Sequence, residues 1–192
     1  MLKKKAAAAL LGLVLLGGLT AGLIAVTAPS RDEAAAGEMW PTDTVPGVED
    51  GVVDEVDGIS PFADHLPAIA KLEPELRAAM QSAAHDAIAD GVDFVVTSGW
   101  RSAAYQQSLL DEAVVEYGSA EAAGEFVLTP EESRHVTGEA VDIGRTDANS
   151  WLSQHGSDYG LCQTYANEMW HFELATVPGG QCPEQLADGT AG

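Results

Sequence analysis

The sequence predicts one small α+β domain, and three observations carry that prediction. Helical periodicity is concentrated between residues 72 and 124, and most short apolar runs of strand type come later. Helices and strands therefore do not alternate as they do in a doubly wound parallel sheet. The 192 residues, 46% of them hydrophobic, suffice for one globular core with chain left over. Nothing repeats at a fixed period.

The surplus chain lies at the N-terminus. "MLKKK" precedes an uncharged apolar run from Ala6 to Ala28. A basic start followed by an apolar run reads as an export signal, and roughly 20 apolar residues are enough to span a bilayer. Residues 1–28 are expected to be a removed signal peptide or a membrane anchor, with the remainder outside the cytoplasm. Residues 29–58 are acidic and rich in Pro and Gly, and are expected to form a flexible stem. The domain is expected over 59–192. Beyond Ala28 there are 6 Lys/Arg against 30 Asp/Glu, since three of the 9 basic residues precede the run. That balance argues against nucleic acid or an anionic membrane surface as a partner of the folded part. A monomer is expected.

Within the domain, Leu72–Gly91 reads as a helix. Pro74 suits its first turn, and Leu76, Ala79, Met80, Ala83 and Ala87 recur at helical spacing. Asp93–Gly99 is a short apolar strand ended by a turn. Ser102–Gly118 is a second helix with Ser102 as candidate N-cap, and Ser119–Gly124 a short third. Glu139–Gly144 is a strand, Ser150–Gly156 a short helix, and Glu168–Ala175 another strand. The tail beyond Pro178 is loop. Cys162 and Cys182 are the only cysteines. Outside the cytoplasm they would pair, closing a loop worth roughly 3 kcal/mol in the chain-entropy model. A two-cysteine metal site is the rival reading, but the close C-x-x-C spacing is missing.

One carboxylate is out of place. Asp142 stands in "EAVDIG" among Ala140, Val141 and Ile143, where an unpaired buried charge is costly. Together with His135 and His171 it makes two imidazoles and a carboxylate, a ligand set used by catalytic zinc sites that keep one position open. The helical H-E-x-x-H pattern is absent. Glu168 precedes His171 by three residues and suits a general base beside such a metal. Arg101 follows a strand and a glycine turn, where a guanidinium can clamp a carboxylate or stabilise an oxyanion. Gln106 lies on the first turns of the helix that follows. His65, His85 and His155 read as ordinary solvated or helical histidines.

The stretches "SGWRSAAYQQ", "SRHVTGEAVDIG" and "YGLCQTYANEMWHFEL" together resemble the zinc D-alanyl-D-alanine carboxypeptidases of the VanY type, a peptidase group that includes VanX dipeptidases and L,D-carboxypeptidases. The pattern S-x-H-x-x-G-x-A-x-D is met by Ser133, His135, Gly138, Ala140 and Asp142. E-x-W-H is met by Glu168, Trp170 and His171, and G-[YW]-R-S-x-x-x-Q by Gly99, Trp100, Arg101, Ser102 and Gln106. The resemblance covers about 59–174. It implies a central antiparallel sheet flanked by helices, with Zn2+ held at the sheet by His135, Asp142 and His171. Glu168 would act as base and acid, and Arg101 would polarise the scissile carbonyl. Ser133 and Gln106 would bind the C-terminal D-residue, and Trp170 would pack beneath the site. The substrate implied is the peptidoglycan stem peptide, cut at its terminal D-alanyl-D-alanine bond. An L,D-carboxypeptidase, a wall endopeptidase, a wall-binding module without turnover and a structural envelope protein remain as alternatives. Four features depart from the pattern: Trp100 for tyrosine, Arg134 for a frequent glutamate, a short segment before Glu168, and Glu173 where many members carry arginine.

Overall fold

The structure is a computed structural model that describes residues 45–53 and 56–191. The expected signal or anchor and the first half of the stem lie outside the described residues. Among the described residues no helix is long and apolar enough to cross a membrane.

In chain order the elements are α1 (Pro67–Ala70), α2 (Pro74–Ala89), β1 (Val95–Ser98), α3 (Ala103–Tyr117), α4 (Ala120–Gly124), α5 (Arg134–Thr137), β2 (Ala140–Gly144), α6 (Thr146–His155), β3 (Leu161–Gln163) and β4 (His171–Leu174). Proline opens both α1 and α2, where its missing N–H costs nothing. Ser102 caps α3, its hydroxyl accepting from Tyr105 N–H at 3.1 Å. The four strands form one antiparallel sheet in the order β1-β2-β4-β3.

Strand alternation gives this sheet two different faces. Val96, Val141, Ile143, Phe172 and Leu161 are at most 1% exposed and belong to one core with Leu76, Met80, Ala83 and Ala87 of α2 and Leu152 of α6. Burying each large side chain of this set contributes about 1.5–3 kcal/mol. The intervening residues, among them Asp142, His171 and Glu173, point to the other face. The apolar strand around Asp142 is therefore not a strand with an error in it.

Several expectations need correction. The stem does not run to residue 58. Val48–Asp50 form a 3₁₀ turn docked on the domain, with Ser102 Oγ donating to Asp50 Oδ1 at 2.9 Å and Ser102 N–H donating to Asp50 O at 2.8 Å. One of its acids is thus a partner rather than a solvating charge, and the domain begins before Ile59. Helix α6 starts at Thr146, four residues before the expected Ser150. Strand β3 and the one-turn helices α1 and α5 were not foreseen. Each is three or four residues long, too short for a period to register. Cys162 and Cys182 are disulfide-bonded, tying β3 to the tail.

Candidate metal centre and active site

The site is assembled by one local turn and one strand pairing. Helix α5 is a single turn ended by Gly138, whose φ of 79° is left-handed. A Cβ there would lie 2.5 Å from Lys71 O, so only glycine permits this approach to the chain before α2. Glu73 N–H donates to Gly138 O at 2.9 Å and fixes the turn. The chain then enters β2, and His135 Nε2 comes within 3.4 Å of Asp142 Oδ1. His171 faces Asp142 directly across the β2–β4 pairing, and its Nδ1 lies 3.3 Å from the same oxygen. One atom from each of the three residues lies within 4.8 Å of the others.

Each ligand candidate is held from behind. His135 Nδ1 is 2.8 Å from Gly99 O, which accepts its proton and leaves Nε2 facing Asp142. His171 Nε2 is 3.0 Å from Glu173 Oε1. Asp142 Oδ2 accepts from Arg101 Nη2 at 3.0 Å. Asp142 Oδ1, by contrast, is buried without a hydrogen-bond partner. An orphaned carboxylate oxygen flanked by two imidazole nitrogens is a donor set that fits a cation such as zinc.

The electrostatics agree. Burial by itself would raise the Asp142 carboxyl, but His135, His171 and Arg101 together hold it well below the usual carboxylate range. Burial, helped by Arg101, lowers His135. Burial also works against charge on His171, but the adjacent Asp142 carboxylate and the hydrogen bond to Glu173 outweigh it and raise the imidazole to about 9.

Glu168 and Arg101 flank the cluster. Glu168 is 7% exposed, and its Oε2 lies 3.6 Å from His171 Nδ1. Burial pushes its carboxyl up to about 7, with Asp142 adding to the rise. Arg101 is fixed by three side chains: Nε donates to Ser98 Oγ at 2.7 Å, Nη1 to Gln106 Oε1 at 3.1 Å, and Nη2 to Asp142. Gln106 is 1% exposed, and its Nε2 donates to Leu128 O at 2.9 Å. Its amide therefore bonds to the protein at both ends. Ser133 is buried at the start of α5, does not cap it, and lines the same cavity. That cavity holds about 370 Å³ and brings Arg101, Gln106, Ser133, His135, Asp142, Glu168 and His171 together.

Trp170 does not lie beneath the site. It is 39% exposed and stands at the cavity wall. Two contributors escaped the sequence, Ser98 and Tyr165, whose ring centre is 5.0 Å from that of His171, and the contact of Glu173 with His171 escaped it too. Period-two alternation, which sets Glu173 on the face of His171, was the available signal for that residue.

A family model described as VanY, D-alanyl-D-alanine carboxypeptidase, matches residues 69–177, more than half of the chain. The chain belongs to this family. The matched segment holds every residue of the VanY-type cluster just described. The D-alanyl-D-alanine carboxypeptidase of Enterococcus faecalis (strain ATCC 700802 / V583) is 32% identical over 114 residues, covering 46% of this chain and 42% of that protein. The chain thus spans less than half the length of that curated relative. Among solved structures, a variant of the vancomycin resistance D,D-pentapeptidase VanY in complex with Zn(II) superposes with a TM-score of 0.51 at 28% identity, over 57% of this chain and 73% of that one. VanYB in complex with D-alanine-D-alanine gives 0.50 at 29% identity, over 53% and 70%.

Proposed function

We propose that the chain is a zinc-dependent carboxypeptidase acting outside the cytoplasm, where it removes the terminal D-alanine from peptidoglycan stem peptides ending in D-alanyl-D-alanine. The observation that carries this reading is the convergence of His135 Nε2, Asp142 Oδ1 and His171 Nδ1, with Glu168 and Arg101 beside them in one cavity. His135, Asp142 and His171 would hold the zinc. Bound there, zinc supplies a Lewis acid and lowers the pKa of water.

The chain's own residues do the rest. Glu168, raised by burial, takes the proton of the attacking water and returns it to the leaving amine. Arg101 directs its guanidinium at the scissile carbonyl and stabilises the charge that develops on oxygen. Ser98, Gln106 and Asp142 hold the guanidinium rigid, so no reorganisation is needed as that charge forms. Ser133 presents a hydroxyl to the substrate's terminal D-residue. Gln106, its amide bonded to the protein at both ends, acts through Arg101 rather than on the substrate. Residues 1–28 would export or anchor the domain, and the paired Cys162 and Cys182 suit an oxidising compartment.

One observation favours a second reading. The cavity continues past Gln106 to Glu112, Tyr117 and Phe126, more room than one alanine needs. A larger leaving group, as in endopeptidase cleavage of cross-links, would use the same centre. Pentapeptide, tetrapeptide and cross-linked muropeptides assayed separately decide between them. D-alanine released from the pentapeptide, and lost with Glu168→Ala, is the result expected. Release from the tetrapeptide alone would sink the D,D assignment, and undiminished hydrolysis by Glu168→Ala would remove Glu168 as the base.

A further inference from the structure

Glu173 follows His171 by two residues on β4, so both side chains leave the same face of the sheet. Its Oε1 lies 3.0 Å from His171 Nε2, and the two side chains are only 16% and 6% exposed. We propose that Glu173 is a positioning residue for the metal centre: it accepts the Nε2–H of His171 and so fixes the ring with the Nδ1 lone pair turned to the cation. The inference rests on the reading of this cluster as a zinc site.

The chemistry leaves little choice. An imidazole that ligates a cation is neutral, with one N–H and one lone-pair nitrogen, and a carboxylate oxygen accepts that N–H. The proton of His171 therefore belongs on Nε2, and Nδ1, 3.3 Å from Asp142 Oδ1, is the nitrogen left to ligate. The same division is made at His135 by a backbone carbonyl, Gly99 O, at 2.8 Å. One imidazole is thus oriented by a neutral acceptor and the other by a charged one, which also makes the ring a better donor to a metal.

Two alternatives fail on the same geometry. Glu173 is not a solvated strand carboxylate, because it is mostly covered and bonded inward. Arg134 lies close enough to act on it by charge, but its Nη1 bonds Glu139 Oε2 at 2.8 Å, and the hydrogen bond of Glu173 goes to His171. Its place is fixed by pairing on both sides of β4, opposite Ala140 of β2 and Cys162 of β3. An arginine at this position would have no acceptor and could not make this bond.

The test is zinc affinity of the full chain, read by competition with a chromogenic chelator, for wild type, Glu173→Gln and Glu173→Leu. Glutamine keeps an acceptor oxygen, while leucine keeps the bulk and removes it. Metal-free melting temperatures report folding. The expected result is a roughly 10–100-fold weaker affinity for Glu173→Leu, with Glu173→Gln within about threefold of wild type. Equal affinity for Glu173→Leu and wild type overturns the inference, and so does a glutamine variant as weak as leucine. A wild-type chain that takes up no zinc overturns the metal reading, and this inference with it.

Discussion

Gln106→Ala separates two roles for a residue that the sequence places at the substrate. Its amide is bonded at both ends, to Arg101 Nη1 at 3.1 Å and Leu128 O at 2.9 Å, and the side chain is 1% exposed. Truncation removes one bond to a charged donor, worth about 1.5–3 kcal/mol, and one neutral bond worth about 0.5–1.5 kcal/mol. It also leaves a small cavity. The stability loss should be about 2–5 kcal/mol. Arg101 keeps Ser98 and Asp142, so its guanidinium is loosened rather than released. The kcat should fall by roughly ten- to a hundredfold, because a loosened oxyanion donor loses part of what its removal would cost. KM should change little. Chemical denaturation gives the first number, and steady-state release of D-alanine from a pentapeptide gives the others. A raised KM with kcat unchanged would refute the reasoning and make Gln106 a direct contact of the substrate.

Three further outcomes are expected. A base role for Glu168 needs its carboxylate, so kcat/KM should rise with pH along a limb no higher than about 7, the value to which burial raises this carboxyl from 4.5; a flat profile between pH 4.5 and 7 would contradict the assignment. Tyr159, which donates to Asp86 Oδ2 at 2.6 Å, is raised to about 12 by burial and by that carboxylate. Its folded pKa lies above the unfolded 10, so the stability it gives is complete below pH 10 and lost as pH rises through about 12; tyrosinate absorbance of wild type against Tyr159→Phe checks this. Met80→Ala, in the core under the sheet that carries the candidate ligands, should cost about 2–5 kcal/mol in a urea melt.

What the sequence discloses follows from which features leave a periodic or chemical trace. Helix α2 was legible because 16 residues repeat a pattern with proline in the first turn. The three candidate ligands were legible because a carboxylate among Ala140, Val141 and Ile143 demands a reason, and two histidines supply one. Strand β3 was not legible: three residues cannot show alternation, and its partner β4 is what makes it a strand. The docking of Asp50 on Ser102 was hidden because an acidic, glycine-rich run looks the same whether solvated or bonded. Gln106 lines the cavity beside Arg101, but no sequence pattern tells that its amide turns to Arg101 and Leu128. Glu173 was noticed only as a departure from the family pattern, since its role depends on which nitrogen of His171 it meets.

The central claim is that His135, Asp142 and His171 hold a zinc ion on which peptide hydrolysis depends. The most direct measurement follows D-alanine release from a pentapeptide stem by the full chain, before chelation, after it and after zinc is restored, with metal content determined at each stage. The account predicts one zinc per chain, loss of release with loss of the metal, and recovery with zinc for the wild type but not for Asp142→Ala. Release that persists in the metal-free chain would contradict it.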